Sequence, residues 1–268
     1  PAVLKKAGAK APATLDEFFA AADKIKAAGM IALAHGGQPW QDATMFESVA
    51  LGVGGPDFYK KALVQLDPAT LAGPAMIKTF DTMARMKAYI DRDSAGRDWN
   101  LATAMVINGK AGMQFMGDWA KGEFTAAGKK PGVDFLCIPA PGTAKAFTFN
   151  IDSMLMFQKP KADDQKSQLV LASAIMSPQF QENFSLNKGS IPVRAGVPKD
   201  KFDSCAQQSM ADMDASSKAG SFVPSMSQNM AIGSAPQGAI MDVIARFMNS
   251  NMSSKDAVAA LVKAARTR

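Results

Sequence analysis

Histidine is almost missing from this chain. His35 is the only one among 268 residues. That excludes multi-histidine metal sites and leaves a Ser-His-Asp triad a single possible base, with no G-x-S-x-G elbow to accompany it. Cysteine is nearly as scarce. Cys137 and Cys205 are the only two, and no C-x-x-C spacing is present to build a zinc ribbon or a thioredoxin-like redox pair. Two thiols fit a reduced cytosolic protein, or an exported one with a single disulfide. Long apolar runs are absent too, none approaching the ~20 residues of a membrane span. The opening "PAVLKKAGAKAPATLDEFF" lacks the apolar centre of a signal peptide and enters a helix almost at once. These absences predict a soluble chain, cytoplasmic or already processed, that uses no cofactor and no metal.

What is present is enough to fold. Hydrophobic residues make up 47% of the chain and charged ones 20%, which suits one large domain or two modest ones. The net charge is +6, from 30 basic against 24 acidic residues. The densest basic pieces are Lys60–Lys61, Lys129–Lys130 and the tail "KAARTR", each set among acidic or neutral residues. This scatter predicts a solvated surface, with no nucleic-acid partner.

Local patterns alternate between helix and strand. Thr14 and Glu17 form a capping box ahead of Leu15, Phe18, Phe19, Ala22 and Ile25, and Gly29 stops that helix. "MIALA" reads as a short buried strand. A helix is expected from about 39 to 51, a turn at "GVGG", and amphipathic helices at "DFYKKALVQL" and "PAMIKTFDTMARMKAYID", with Met76, Met83 and Met86 as adaptable core filling. "NLATAMVINGK" and "DWAKGEFTAAG" read as helices around the strand "AGMQFMG". "VDFLCIPAP" and "FTFNIDSMLMFQK" read as strands. Helices follow at "ADDQKSQLVLASAIM" and "SPQFQENFSLNKG", parted at Ser177–Pro178, and then at 200–215, 235–249 and 253–266. The order predicts an α/β protein with a largely parallel sheet.

In such sheets ligands gather at the carboxyl ends of the strands. Trp40 and Trp119 each stand just after an expected strand, where a helix begins, and Trp99 opens another helix. An indole offers a flat apolar face to the C–H side of a sugar ring, while polar neighbours read its hydroxyls. In "FTFNIDSMLMFQK", Phe147, Phe149, Ile151, Leu155 and Phe157 share one face. Asn150 and Asp152 stand together on the other, an amide beside a carboxylate. Lys188 adds a charged donor in the loop "LNKGSIP". The same residues also fit a plainer reading: tryptophans plugging strand–helix junctions, a solvent-facing strand patch, and a lysine favoured by a helix C-terminus. Asp118, Glu123 and Asp152 are the acids a glycoside hydrolase would need, but nothing in the sequence fixes two of them at the ~5–9 Å that chemistry requires.

The ordered set "KAGAKAPATLDEFFAAADKIKAAG", "ALAHGGQPWQ", "INGKAGMQFMGDWAKGEF", "FLCIPAPGT", "FNIDS", "LNKGSIPVR", "VPSM" and "QGAIMDVI" resembles the periplasmic solute-binding proteins of bacterial ABC sugar importers, in particular their glucose/mannose-binding branch. The resemblance implies a periplasmic-binding-protein-like type II fold with two lobes joined by crossover strands. It implies a receptor, not an enzyme, that closes about a hinge on a monosaccharide, glucose above all, and delivers it to an inner-membrane ABC permease. A sugar sensor without a transporter is the related alternative.

The implied ligand set is Trp119, Asn150, Asp152, Lys188, Trp40 and Gln228, with His35 and Trp99 nearby. Gln228 stands where relatives carry histidine. An exported protein would also join Cys137 to Cys205. By the same resemblance, residues 1–145 and 192–268 would build the C-terminal lobe, and 146–191 would supply a crossover strand and helices of the other. The N-terminal lobe segment would be missing, so the helices at 162–187 would expose an apolar face to a missing fragment or a second copy.

Overall fold

A computed structural model describes residues 1–267. The short α1 (Ala2–Lys6) leads to α2 (Leu15–Ala27), which starts as its sequence requires. The Thr14 hydroxyl accepts from the Glu17 N–H at 3.2 Å, and the Glu17 carboxylate accepts from the Thr14 N–H at 3.1 Å. β1 (Ile31–Ala34) follows, then α3 (Pro39–Tyr59). The turn expected at "GVGG" falls at a break between two helical stretches that together make α3. Gly55 alone leaves helical geometry, at φ 75°, and Pro56 restarts the helix from its preferred φ.

α4 (Pro68–Leu71), α5 (Pro74–Lys87) and α6 (Trp99–Ile107) precede β2 (Ala111–Gln114) and α7 (Ala120–Ala126). β3 (Phe147–Phe149), α8 (Ala162–Ile175), α9 (Pro178–Lys188), α10 (Ser204–Lys218), β4 (Phe222–Pro224), α11 (Ser234–Met248) and α12 (Ser254–Ala264) complete the order.

The strands pair in parallel, as expected, but as two short ladders. β1 lies beside β2 with Leu33 opposite Met113, and β3 beside β4 with Thr148 opposite Val223. Helices α3, α5, α11 and α12 enclose the main core. There the Phe80 ring meets Phe46 at 5.1 Å and Phe247 at 4.8 Å, and Met76, Met83 and Met86 are fully buried. These methionines fill the core as their helical spacing predicts.

Two expected strands are corrected. "VDFLCIPAP" forms no strand: Phe135 makes a lone bridge to Pro131, Pro139 and Pro141 bring no N–H to a ladder, and Cys137 is bonded to Cys205. The strand at 147–159 stops at Phe149, whose carbonyl accepts from the Ser225 N–H. Beyond it the chain is irregular, with Leu155 77% and Phe157 68% exposed. Among the described residues no strand lies beside 150–158 to take its backbone groups, so alternation of side chains cannot hold it extended. β4, three residues long, carries too short a pattern to be read in advance. α8 has no buried residue, and Leu169 and Val170 on it are 69% and 70% exposed.

One buried carboxylate joins distant parts of the core. Glu47 on α3 accepts from the hydroxyls of Ser225 (2.6 Å), Ser227 (2.8 Å) and Tyr59 (3.0 Å) and from the N–H groups of Met226 (2.8 Å) and Ser227 (3.0 Å). Burial is the largest influence on its carboxyl and pushes it above its ordinary value; the hydrogen bonds pull against it. Glu47→Ala strands five donors in a sealed site and is expected to cost at least about 3 kcal/mol in chemical denaturation. Glu47→Gln keeps the volume and is expected to cost less. The folded state also holds this proton more tightly than the unfolded chain. Stability therefore falls as pH rises from the ordinary glutamate value through the raised one, and Glu47→Gln removes that part of the slope.

Candidate functional site

The carboxyl end of every strand delivers a residue to one cleft. β1 runs out through "HGGQP" to Trp40, and β2 through "FMGD" to Trp119. β3 releases Asn150 and Asp152, and β4 releases the turn that carries Gln228. Trp99, at the start of α6, and Lys188, at the end of α9, close the ring. The cleft encloses about 590 Å³, and its wall is completed by Gly122, Glu123, Ala126 and Asn187. Seven of the eight ligand residues expected from the sequence thus meet in one place. This is the strand-end geometry general to open parallel sheets.

His35 is the exception. Its ring is buried behind the wall, with Nε2 2.7 Å from Asp42 Oδ1, and it is not among the lining residues. Burial raises the Asp42 carboxyl, and His35 opposes the rise. His35 serves the loop as a packed polar residue: its own carbonyl accepts from Arg97, which also holds Asp91.

Each aromatic wall is fixed by a short set of contacts. The Trp40 indole N–H donates to Gln38 Oε1 at 2.9 Å, so Trp40 offers the cleft its ring and not its donor. The Gln38 amide in turn donates to Asp98, the residue that opens the helix of Trp99. Gln38 therefore ties two of the three indoles together, a role that no pattern in the sequence marked. The Trp119 ring folds back over Gly117, where an added Cβ would stand 2.1 Å from the indole. On α7, residues 119, 122, 123 and 126 follow the i, i+3, i+4, i+7 spacing of one helix face, and all four line the cleft. That spacing was the available signal for Gly122, Glu123 and Ala126.

The polar floor is set by backbone contact. Gly189 ends α9 in the left-handed conformation at φ 86°. A Cβ there would meet the Gly122 nitrogen at 2.5 Å, and one on Gly122 would meet the Lys188 carbonyl oxygen at 2.7 Å. The two glycines let α7 touch the end of α9, placing Lys188 beside the Trp119 helix. The Lys188 ammonium pairs with the Asp152 carboxylate. Phe149 stacks on Phe222 at 4.2 Å just ahead of Asn150, anchoring the point where the irregular segment begins. Behind α7, Lys121 pairs with Asp203 at 2.8 Å, and the Cys137–Cys205 disulfide ties the 137 loop to α10, whose N-cap is Asp203.

Asp118 lies outside the lining residues and is exposed to solvent. The surrounding protein nonetheless raises its carboxyl, with Lys121 and Lys188 opposing. Among the described residues no group of three or more His, Cys, Asp or Glu is placed to hold a metal ion, and no helix is long and apolar enough to cross a membrane.

The cleft is thus walled by indoles and floored by an amide and an ion pair at the ends of parallel strands. The chain belongs to the bacterial extracellular solute-binding protein family, whose model matches residues 1–172. It is 51% identical over 263 residues to a probable sugar-binding periplasmic protein of Brucella suis biovar 1, covering 98% of this chain and 62% of that protein. It therefore spans less than two thirds of that relative's length.

The fold is that of type II periplasmic binding proteins. A chitin oligosaccharide binding protein superposes with a TM-score of 0.75 at 19% identity, over 97% of this chain and 66% of the other. A bacterial solute receptor described as having an exclusive preference for β-D-galactopyranose superposes with a TM-score of 0.74 at 21% identity, over 98% and 66%.

Gly122→Ala tests the contact that seats Lys188. The new methyl meets backbone, not a movable side chain, so α9 must shift. A loss of about 1–3 kcal/mol in thermal unfolding is expected. An unchanged melting temperature would mean that α9 is not held there.

Proposed function

We propose that this chain is the sugar-binding part of a periplasmic receptor that delivers a monosaccharide, glucose first, to an ABC import permease in the inner membrane. The carrying observation is the convergence of Trp40, Trp99 and Trp119 with Asn150, Asp152, Lys188 and Gln228 on one cleft. Indole faces suit the apolar side of a pyranose, and the amides and the Asp152–Lys188 pair suit its hydroxyls. The family and the description of the Brucella relative support a receptor of sugars in the periplasm. Capture needs no bond to be broken, and the pairing of Asp152 with Lys188 favours no acid–base role for that carboxylate.

In this reading, residues 1–145 and 192–268 belong to one lobe and 146–191 to the other, and closure about the segment after β3 buries the sugar. The absence of any buried residue on α8 supports that division, since a helix without a core partner stands apart from the lobe around it. The permease recognises the closed form.

Calorimetric titration with glucose, mannose, galactose and maltose tests the reading. Saturable binding of a monosaccharide is expected, weakened at least about tenfold by Trp119→Ala, which removes a stacking face. No heat with any of the four sugars would contradict it.

A further inference from the structure

The side chain of Gln228 has two ends of opposite hydrogen-bonding character, and its surroundings decide which one faces the cleft. Its Nε2 lies 3.2 Å from Thr44 Oγ1 and 3.3 Å from Ser227 Oγ. Amide ends look alike in shape, so the choice rests on where the two hydroxyl protons go. Thr44 donates to the Trp40 carbonyl at 2.9 Å, one turn back in α3. Ser227 donates to Glu47 Oε1 at 2.8 Å, one of five donors directed at that carboxyl group. With each proton committed to its shorter contact, both hydroxyl oxygens offer lone pairs to Gln228; they stand 3.1 Å apart, where either could otherwise donate to the other. Two acceptors side by side demand a group with two hydrogens, and the NH₂ of Gln228 supplies them.

The backbone agrees with this placement. The Gln228 N–H donates to Ser225 Oγ at 3.1 Å, and the Met230 N–H closes the turn on the Ser225 carbonyl at 3.0 Å. Asn229 between them takes φ 62°, a left-handed geometry that asparagine tolerates well. The half-buried Gln228 side chain lines the cleft, and its Oε1 has no protein partner among the described residues.

We infer that Gln228 reads the ligand through its carbonyl oxygen alone, so that the site requires a hydrogen-bond donor at one ring position. The inference rests on the sugar-receptor reading above and adds a chemical requirement to it. A hydroxyl or a protonated amine meets the requirement. A fluorine, which accepts weakly and donates nothing, does not. The residues behind the choice, Thr44, Ser227 and Glu47, touch no ligand and act by positioning.

The test is calorimetric titration of the full chain with glucose and its mono-deoxyfluoro and mono-amino-deoxy analogues, one ring position at a time. At one position the fluoro analogue is expected to bind about tenfold or more weaker than glucose, with the amino analogue within about threefold. Gln228→Leu and Gln228→Met, each checked by its melting temperature, are expected to erase that contrast at that position and leave the others unchanged. The analogue series on the unaltered chain stands by itself should either variant fail to fold. Glucose binding with the fluoro analogue retained and the amino analogue rejected would show the amide facing the ligand and overturn the assignment. So would a donor requirement that persists in both variants. Binding of no sugar at all would overturn the receptor reading and this inference with it.

Discussion

The Glu47 carboxylate is the contact on which the geometry of the site depends. It lies in α3, seven residues after Trp40, and all five of its hydrogen bonds come from Tyr59 and from the turn after β4. A carboxylate sealed from water is costly unless its lone pairs are filled. Here filling them forces the 225–227 backbone against α3, and the next residue in the chain is Gln228. One buried acid thus sets the distance between an aromatic wall of the cleft and its polar rim. The same acid fixes the direction of the Ser227 hydroxyl, so it shapes both the position and the polarity of what the cleft presents.

The rest of the site follows from short parallel strands that release their chains on the same side. Each strand delivers its chain to the cleft, β3 with two lining residues, and glycine contacts decide how closely the supporting helices approach. Gly117 makes room for an indole, and Gly122 and Gly189 let two helices touch through backbone. Gln38 braces Trp40 against the start of α6. The aromatic walls are therefore held before any ligand arrives, which lowers the ordering cost of binding. The Asp152–Lys188 pair sits at the more exposed floor, where water reaches both ions.

Much of this was legible in the sequence, for identifiable reasons. The capping box of α2, the methionine spacing of α5 and the proline and glycine ends of α9 are local signals, and local hydrogen bonds and packing realise them. The tryptophans were legible because strand–helix junctions place side chains at a sheet's carboxyl edge. What failed was non-local. The alternation through 147–159 described a strand that needed a neighbour, and only Phe147–Phe149 has one, in β4. His35 lay in the right loop, but Asp42 draws its ring inward. Glu47 carried no signal, because its meaning depends on serines about 180 residues away in the chain. The joining of Cys137 to Cys205 was implied by the family resemblance and not by spacing.

The most direct measurement is the nuclear magnetic resonance spectrum of the three indole N–H groups during titration with glucose. The three indoles line a single cleft, so all three resonances are expected to move with one dissociation constant. Trp40 should keep the signature of its hydrogen bond to Gln38 throughout. Resonances that stay fixed while glucose binds would place the sugar elsewhere and contradict the account.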